Sequence, residues 1–266
     1  MVFWFEKDGA MHRIKISAVI ITYNEERNIR RCLESLQDIA DEIVVVDSYS
    51  TDRTEDICRE MGAIFVQHPF DGHIEQKNYA LGQANHDVIL SLDADEALSD
   101  ELRESIRSAK NHWDSDGYCF NRLTSYCGKW IRHCGWYPDE KIRLWDKHRG
   151  QWGGTNPHDR VVMSEDSTVK HLAGVLLHYS YHSIRQQVEQ INSFSDLSAR
   201  AAYEKGKKPI FIKDILLNPV FTFLKMYILQ RGFLDGYYGF VISANSSFSK
   251  FLKYIKLREL YKQPPS

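Results

Sequence analysis

Four short apolar runs, separated by polar stretches of helical period, dominate the first hundred residues. Ile16 to Thr22 (I-S-A-V-I-I-T) is continuous and of strand length, which predicts a strand covered on both faces. Asn24 is then expected to cap a helix running through about Ala40, with Ile29, Cys32, Leu33 and Leu36 on one face. Ile43 to Val46 predicts a second buried strand ending on Asp47, and Asp52 to Met61 a helix closed by Gly62. Ala63 to Val66 reads as a third strand, Ile74 to Ala84 as another helix, and Val88 to Leu92 as a fourth strand. Strand and helix alternating in this way predict an α/β fold, with a mostly parallel central sheet and helices on both faces.

The pattern becomes irregular after about Asn111. Gly117 to Leu123, Lys141 to Trp145 and Val175 to His178 have strand character, and Ser183 to about Lys205 reads as a helix. Between the first two lies a stretch with Cys127, Trp130, His133, Cys134, Trp136 and Tyr137, a composition expected of a binding lip. A zinc site from Cys127, His133 and Cys134 has the right atoms, but the spacing matches no structural zinc pattern. From Pro209 the chain changes again. Asn218 and Pro219 make an N-cap and first-turn pair, predicting a helix from Val220 to Arg231 that is apolar almost all round. Its uncharged stretch is too short to span a bilayer. Two readings stay open for it: a segment lying on a membrane surface, or a helix packed on the body.

Ligands of a parallel sheet gather at the carboxyl ends of its strands. Thr22, Tyr23, Asn24, Glu25, Asp47, Ser48, Asp93 and Asp95 all fall on that edge. No glycine occurs from Ala10 through Met61, so the first strand-to-helix turn holds neither a dinucleotide fingerprint nor a P-loop. The fourth strand instead ends in L-D-A-D-E, with Asp93, Asp95 and Glu96 together. Carboxylates concentrated at a strand end suit a divalent cation carrying phosphate, because an isolated buried carboxylate is costly. An acidic helix-capping turn is the competing explanation, since Ser99 and Asp100 open a helical run just downstream. D-x-D after a strand also marks aspartyl-phosphate phosphatases, but those place the motif on the first strand, and here three strands precede it.

The chain has 266 residues, enough for a sizeable core. Its five cysteines form no C-x-x-C pair and their odd number argues against a disulfide framework, so a reducing cytosol is expected. The N-terminus has neither a basic start nor a long apolar core, which predicts no secretory signal; Met11 is an alternative start. Charge is uneven. From Ala201 onward there are 11 Lys and Arg against 4 Asp and Glu, whereas the rest of the chain is acidic. A basic, aromatic-rich tail on an acidic body predicts two surfaces with different partners.

The ordered segments V-I-I-T-Y-N-E-E (Val19–Glu26), V-V-V-D-S-Y-S-T-D (Val44–Asp52), Q-K-N-Y-A-L (Gln76–Leu81) and L-D-A-D-E (Leu92–Glu96) resemble the inverting glycosyltransferases of family 2, which have the GT-A nucleotide-sugar fold. Gly135-Trp136-Tyr137-Pro138-Asp139 and Arg231-Gly232-Phe233-Leu234-Asp235-Gly236 are similar to the branch containing lipopolysaccharide-core β-1,4-glucosyltransferases. The resemblance implies a catalytic domain over residues 1–205 and a helical, basic and apolar segment over 206–266. It further implies a UDP-sugar donor held along Thr22, Tyr23, Asn24, Glu25, Asp47 and Ser48, with Lys77 and Arg143 near the diphosphate. Asp93 would meet the ribose or a metal-bound water, and Asp95 would ligate Mg²⁺ or Mn²⁺, with His178 completing the shell. Asn156-Pro157-His158-Asp159-Arg160 stands where the branch carries a His-Glu pair, which makes Asp159 the expected base and leaves Asp139 or Glu140 as substitutes. The implied acceptor is a saccharide on a membrane glycolipid such as a lipopolysaccharide core. The expected location is cytoplasmic and peripheral on the inner face of the membrane, with no nucleic-acid partner. A non-catalytic sugar-nucleotide binding module is the alternative.

Overall fold

The computed structural model describes residues 14–155 and 158–262. They form two compact units, one built from the chain up to Arg122 with Glu140–His178, the other from Leu123–Asp139 with the chain from Tyr179 onward.

In the first unit β1 (Ile16–Thr22), α1 (Ile29–Leu36), β2 (Glu42–Asp47), α2 (Thr54–Glu60), β3 (Ile64–Gln67), α3 (His73–Gly82) and β4 (Val88–Asp93) alternate as the hydrophobic pattern predicts. Along the chain they are followed by β5 (Glu96–Leu98), α4 (Asp100–Asn111), β6 (Gly117–Tyr126), β7 (Lys129–Trp130, within the second unit), β8 (Glu140–Asp146), β9 (Gly150–Thr155), β10 (His158–Met163) and β11 (Val169–Tyr181). The sheet order is β3-β2-β1-β4-β8-β6-β11-β5, with β7 beside β6 and β9-β10 a separate hairpin. β3, β2, β1 and β4 run parallel, and β8 joins β4 antiparallel.

The unbroken apolar runs have a direct cause. Ile16, Ala18 and Ile20 of β1 pack into one core with α1 and α4, while Val19 faces a second core that takes in Ala80 and Leu81 of α3. Val45 belongs to the first core, Val44 and Val46 to the second. A strand covered on both sides has no polar face to show, and each side chain so buried contributes about 1.5–3 kcal/mol.

Two expected helix starts are corrected. Asn24 caps nothing: its φ is 53°, and its Oδ1 accepts from the Thr51 N–H at 2.8 Å, so the side chain ties two loops together and α1 begins only at Ile29. Asn218 does not open the tail helix. Helical winding already starts at Phe211, in a wide π turn (Phe211–Leu217) that runs through α6 (Asn218–Leu224) into a second π turn (Lys225–Leu229). Asn218 donates back to Asp214, which also accepts from the Ile210 N–H.

The second unit adds α5 (Ile184–Glu204) and a 27-residue α7 (Gly236–Lys262) that the sequence pattern did not reveal. Ala199 and Ala202 of α5 pack on Tyr254 and Leu257 of α7. The stretch just ahead of the first branch-like segment meets the second one here. Asp235 accepts from the backbone N–H of His133 (2.8 Å) and from its ring (3.1 Å), and the Asp235 carbonyl accepts from Lys129. Glycine is required at the contact: a Cβ on Gly239 would lie 1.8 Å from the Gly232 carbonyl oxygen. Among the described residues no helix is long and apolar enough to cross a membrane.

Candidate active site

Parallel register brings the expected residues to one edge. Thr22 is the partner of Asp47, and Ile21 of Asp93, so β1, β2 and β4 end side by side. The loops beyond them are stitched together: Asn24 donates its N–H to Ser50 (2.8 Å), Glu25 to Thr54 (2.9 Å) and Glu26 to Asp52 (3.1 Å). Asp47 is fully buried and receives both the backbone N–H and the hydroxyl of Ser50, so it anchors the loop that follows β2. Ser48 donates its N–H to the Thr22 carbonyl, and its hydroxyl accepts from Gln76. Tyr23 lies exposed at the rim. Burial pushes the Glu25 carboxyl up to about 7 against the pull of the Asn28 amide, and the negative charges of Asp95, Asp52 and Asp93 push the same way.

Beside this edge lies a buried charge cluster. Lys77, only 4% exposed, holds Asp93 at 2.9 Å and Asp159 at 2.7 Å, with its ammonium 4.2 Å from the Trp152 ring centroid. Arg143 reaches Asp93 (3.2 Å) and Glu96 (2.9 Å) and stacks over the same indole at 5.1 Å. Arg122 adds a third cation, 3.3 Å from Glu96. Three carboxylates therefore face three cations. Burial opposes ionisation of Asp93, but Lys77 and Arg143 hold its carboxyl well below the usual carboxylate range. Burial likewise disfavours a charged Arg143, and Glu96 with Asp93 overcomes it.

Three consecutive residues of α3 each address a different element, because helix positions turn about 100° per residue. Gln76 bonds His68 and Ser48, Lys77 bonds Asp93 and Asp159, and Asn78 exchanges two hydrogen bonds with the Trp152 backbone (2.9 and 3.0 Å). Asn78 thereby fixes the β9-β10 hairpin that carries Asp159. In that hairpin Asp159 pairs with Gly154 and Arg160 with Gly153.

A turn after β4 leads to Asp95, and β5 then pairs with β11 so that His178 sits opposite Glu96. Asp95 Oδ2 and His178 Nε2 are 3.2 Å apart and both are partly exposed. A carboxylate oxygen beside an imidazole nitrogen is a donor set that fits Mg²⁺ or Mn²⁺ when diphosphate and water supply the other positions. Among the described residues no group of three or more His, Cys, Asp or Glu is placed to hold a metal. Cys134 instead packs against Gly239 and Ser243, and His133 is taken by Asp235. The capping role proposed for the acidic turn belongs to Ser99, which accepts from Leu102 N–H at 3.2 Å.

A cavity of about 710 Å³ opens from the charge cluster, with Lys77, Asp93, Arg143, Trp152, Asp159 and Arg160 in its wall. Glu140 also lines it; Asp139 falls in the second unit. Asn156 and Pro157 of the motif around Asp159 lie outside the described residues. Sequence reasoning missed Gln76, Asn78, Glu96 and Trp152 as site-building residues. The first two stand in the Q-K-N motif and Glu96 in the acidic run, while Trp152 carried no signal.

A mixed sheet whose parallel strands carry an acidic D-x-D at the carboxyl edge defines the GT-A class of nucleotide-sugar fold. The description of glycosyl transferase family 2 matches residues 17–164, and the chain belongs to that family. A Rickettsia bellii glycosyltransferase is 36% identical over 260 residues, spanning 92% of this chain and 87% of its own. LpsC of Rhizobium meliloti, described as a lipopolysaccharide core biosynthesis glycosyltransferase, is 29% identical over 256 residues, covering 92% of each chain. Among solved structures, that of S. aureus TarS residues 1–349 aligns over 95% of this chain and 92% of that one, at 15% identity and a TM-score of 0.43.

Proposed function

We propose that this glycosyltransferase is a metal-dependent, inverting enzyme that moves a hexose, glucose in the first instance, from a UDP-sugar to a saccharide on a membrane glycolipid of the lipopolysaccharide-core type. The observation that carries the reading is the position of Lys77, whose ammonium bridges the D-x-D carboxylate Asp93 and the hairpin carboxylate Asp159. One residue thus connects the donor edge with the candidate base.

Glu25 and the Thr22–Asn24 and Asp47–Ser48 segments receive the nucleoside, Glu25 accepting from a base N–H or a ribose hydroxyl. Asp95 and His178 would hold Mg²⁺ or Mn²⁺, which neutralises charge on the departing diphosphate. Lys77 turns its ammonium toward that diphosphate. Arg143, fixed by Asp93 and Glu96, steadies the wall beside it. Asp159 Oδ2, released by Lys77, takes the proton from the acceptor hydroxyl as the oxygen attacks the anomeric carbon from the face opposite UDP. The configuration inverts in that single displacement.

Similarity to LpsC supports the glycolipid acceptor. The second unit supports work at a membrane surface. Ile212 (64%) and Leu229 (72%) head a run of exposed apolar side chains, and Asp214, the acid in that run, is buried while Lys213 and Lys225 remain to meet anionic lipid. Incubation of purified protein with UDP-glucose and Mn²⁺ is expected to release UDP slowly without acceptor, and Asp95→Ala to abolish the release. Donor binding indifferent to a chelator would overturn the metal-dependent reading.

A further inference from the structure

Of the residues at the nucleotide edge, only Asp93 reaches the cavity beside Lys77. Thr22, Glu25, Asp47 and Asp95 take no part in its wall, whereas Asp159 does. Its wall carries five cationic side chains against three carboxylates, with the buried Glu96 paired to Arg122 and Arg143 and with Asp93 and Asp159 engaged by Lys77. Unused hydrogen-bonding capacity points the same way. Arg143 is 3% exposed, yet its Nε and Nη1 have no hydrogen-bond partner, and Trp152 Nε1, equally buried, has none either. All three are donors. Buried donors are satisfied in nearly every folded protein, and leaving one unmade costs more than a typical hydrogen bond returns, so orphan donors around a cavity describe the ligand that completes it.

We infer that this cavity is the acceptor site and that the acceptor carries an anionic group, a carboxylate or a phosphate, near the hydroxyl that is glycosylated. The anion meets Arg143 and Trp152 at the inner wall and Arg160 and Lys141 on β10 and β8. The cluster around Lys77 then orients the neighbouring hydroxyl toward Asp159. The inference rests on the glycosyltransferase reading and names the acceptor's chemical class. It makes Arg160 and Lys141 specificity residues rather than catalytic ones.

The test is calorimetric titration of the full chain, pre-loaded with UDP and Mn²⁺ so that the diphosphate position is filled, with three probes: methyl glucoside, methyl glucuronide and glucose 6-phosphate. At low salt at least one anionic probe is expected to bind about tenfold or more tightly than the neutral one, as charge-assisted bonds to a partly buried arginine dictate. Whichever anionic probe binds more tightly identifies carboxylate or phosphate. The double variant Lys141→Gln/Arg160→Gln is expected to lose that preference while its UDP affinity stays within about twofold, which also shows that it is folded. Equal binding of all three probes, a preference that survives the double variant, or displacement of UDP by the anionic probe would each overturn the inference. Failure of UDP itself to bind would instead sink the function proposed above.

Discussion

The two units handle unfavourable surface in opposite ways. The first buries charge: Lys77, Arg143 and Glu96 are nearly inaccessible and are tolerated because each has oppositely charged partners within 3.3 Å. The second exposes oil: Phe211, Ile212, Leu217, Phe221 and Leu229 are each more than half exposed. A buried charge cluster is a poor device for stability but a good one for holding charged atoms at set distances, whereas an uncovered apolar face costs free energy until something covers it. On the function proposed above, chemistry falls to the first unit and attachment to the second.

The largest expected effect comes from breaking the charge cluster. Lys77→Met leaves Asp93 to Arg143 and takes from Asp159 its ammonium partner, and should destabilise the fold by about 3–5 kcal/mol, read by chemical denaturation, with loss of UDP release. Asp159→Asn keeps the side chain's shape and should leave UDP affinity intact while lowering kcat about 10²- to 10⁴-fold; full activity would move the base elsewhere, with Glu140 next to be tried. On the apolar side, Ile212→Asp with Leu229→Asp should weaken binding to vesicles containing anionic lipid by about tenfold or more, with the melting temperature unchanged because both residues are already exposed. Retention on the vesicles, or loss of a dimer in light scattering, would show that the face serves another purpose. The smallest effect concerns Glu25. Its carboxyl, near 7 when folded against an ordinary 4.5, binds its proton more tightly in the native state, so its contribution to stability is present below about pH 4.5 and fades as pH rises through 7. Glu25→Gln should therefore be the more stable chain at pH 8 and show no such gain at pH 4 in thermal melts.

How much was legible in the sequence depended on whether neighbours in the chain or neighbours in space decide the structure. The strands of the parallel half were plain, because both faces of β1, β2 and β4 are covered and their composition says so. Thr22, Asp47 and Asp93 followed from strand direction alone. The β9-β10 hairpin was not legible. Its glycines carry no period, and it is placed by Asn78, which is 74 positions from Trp152. Glu96 read as a third member of an acidic run, yet its role is to hold Arg143 and Arg122, a pairing visible only once β5, β6 and β8 are gathered into one sheet. Asn24 and Asn218 looked like caps because asparagine suits that position. Thr51, from a separate loop, claimed the first side chain, and Asp214, one helical turn back, claimed the second.

The run of Gln76, Lys77 and Asn78 has an implication for how this chain can vary. Three links, to the loop after β2, to the charge cluster and to the hairpin, leave one helical turn in fixed angular order. Replacing any one letter cuts one link. Adding or deleting a single residue earlier in that turn swings all three by about 100° at once. Such a segment accepts spelling changes far more readily than changes of length, and descendants of this sequence should vary in what those positions say long before they vary in how many there are.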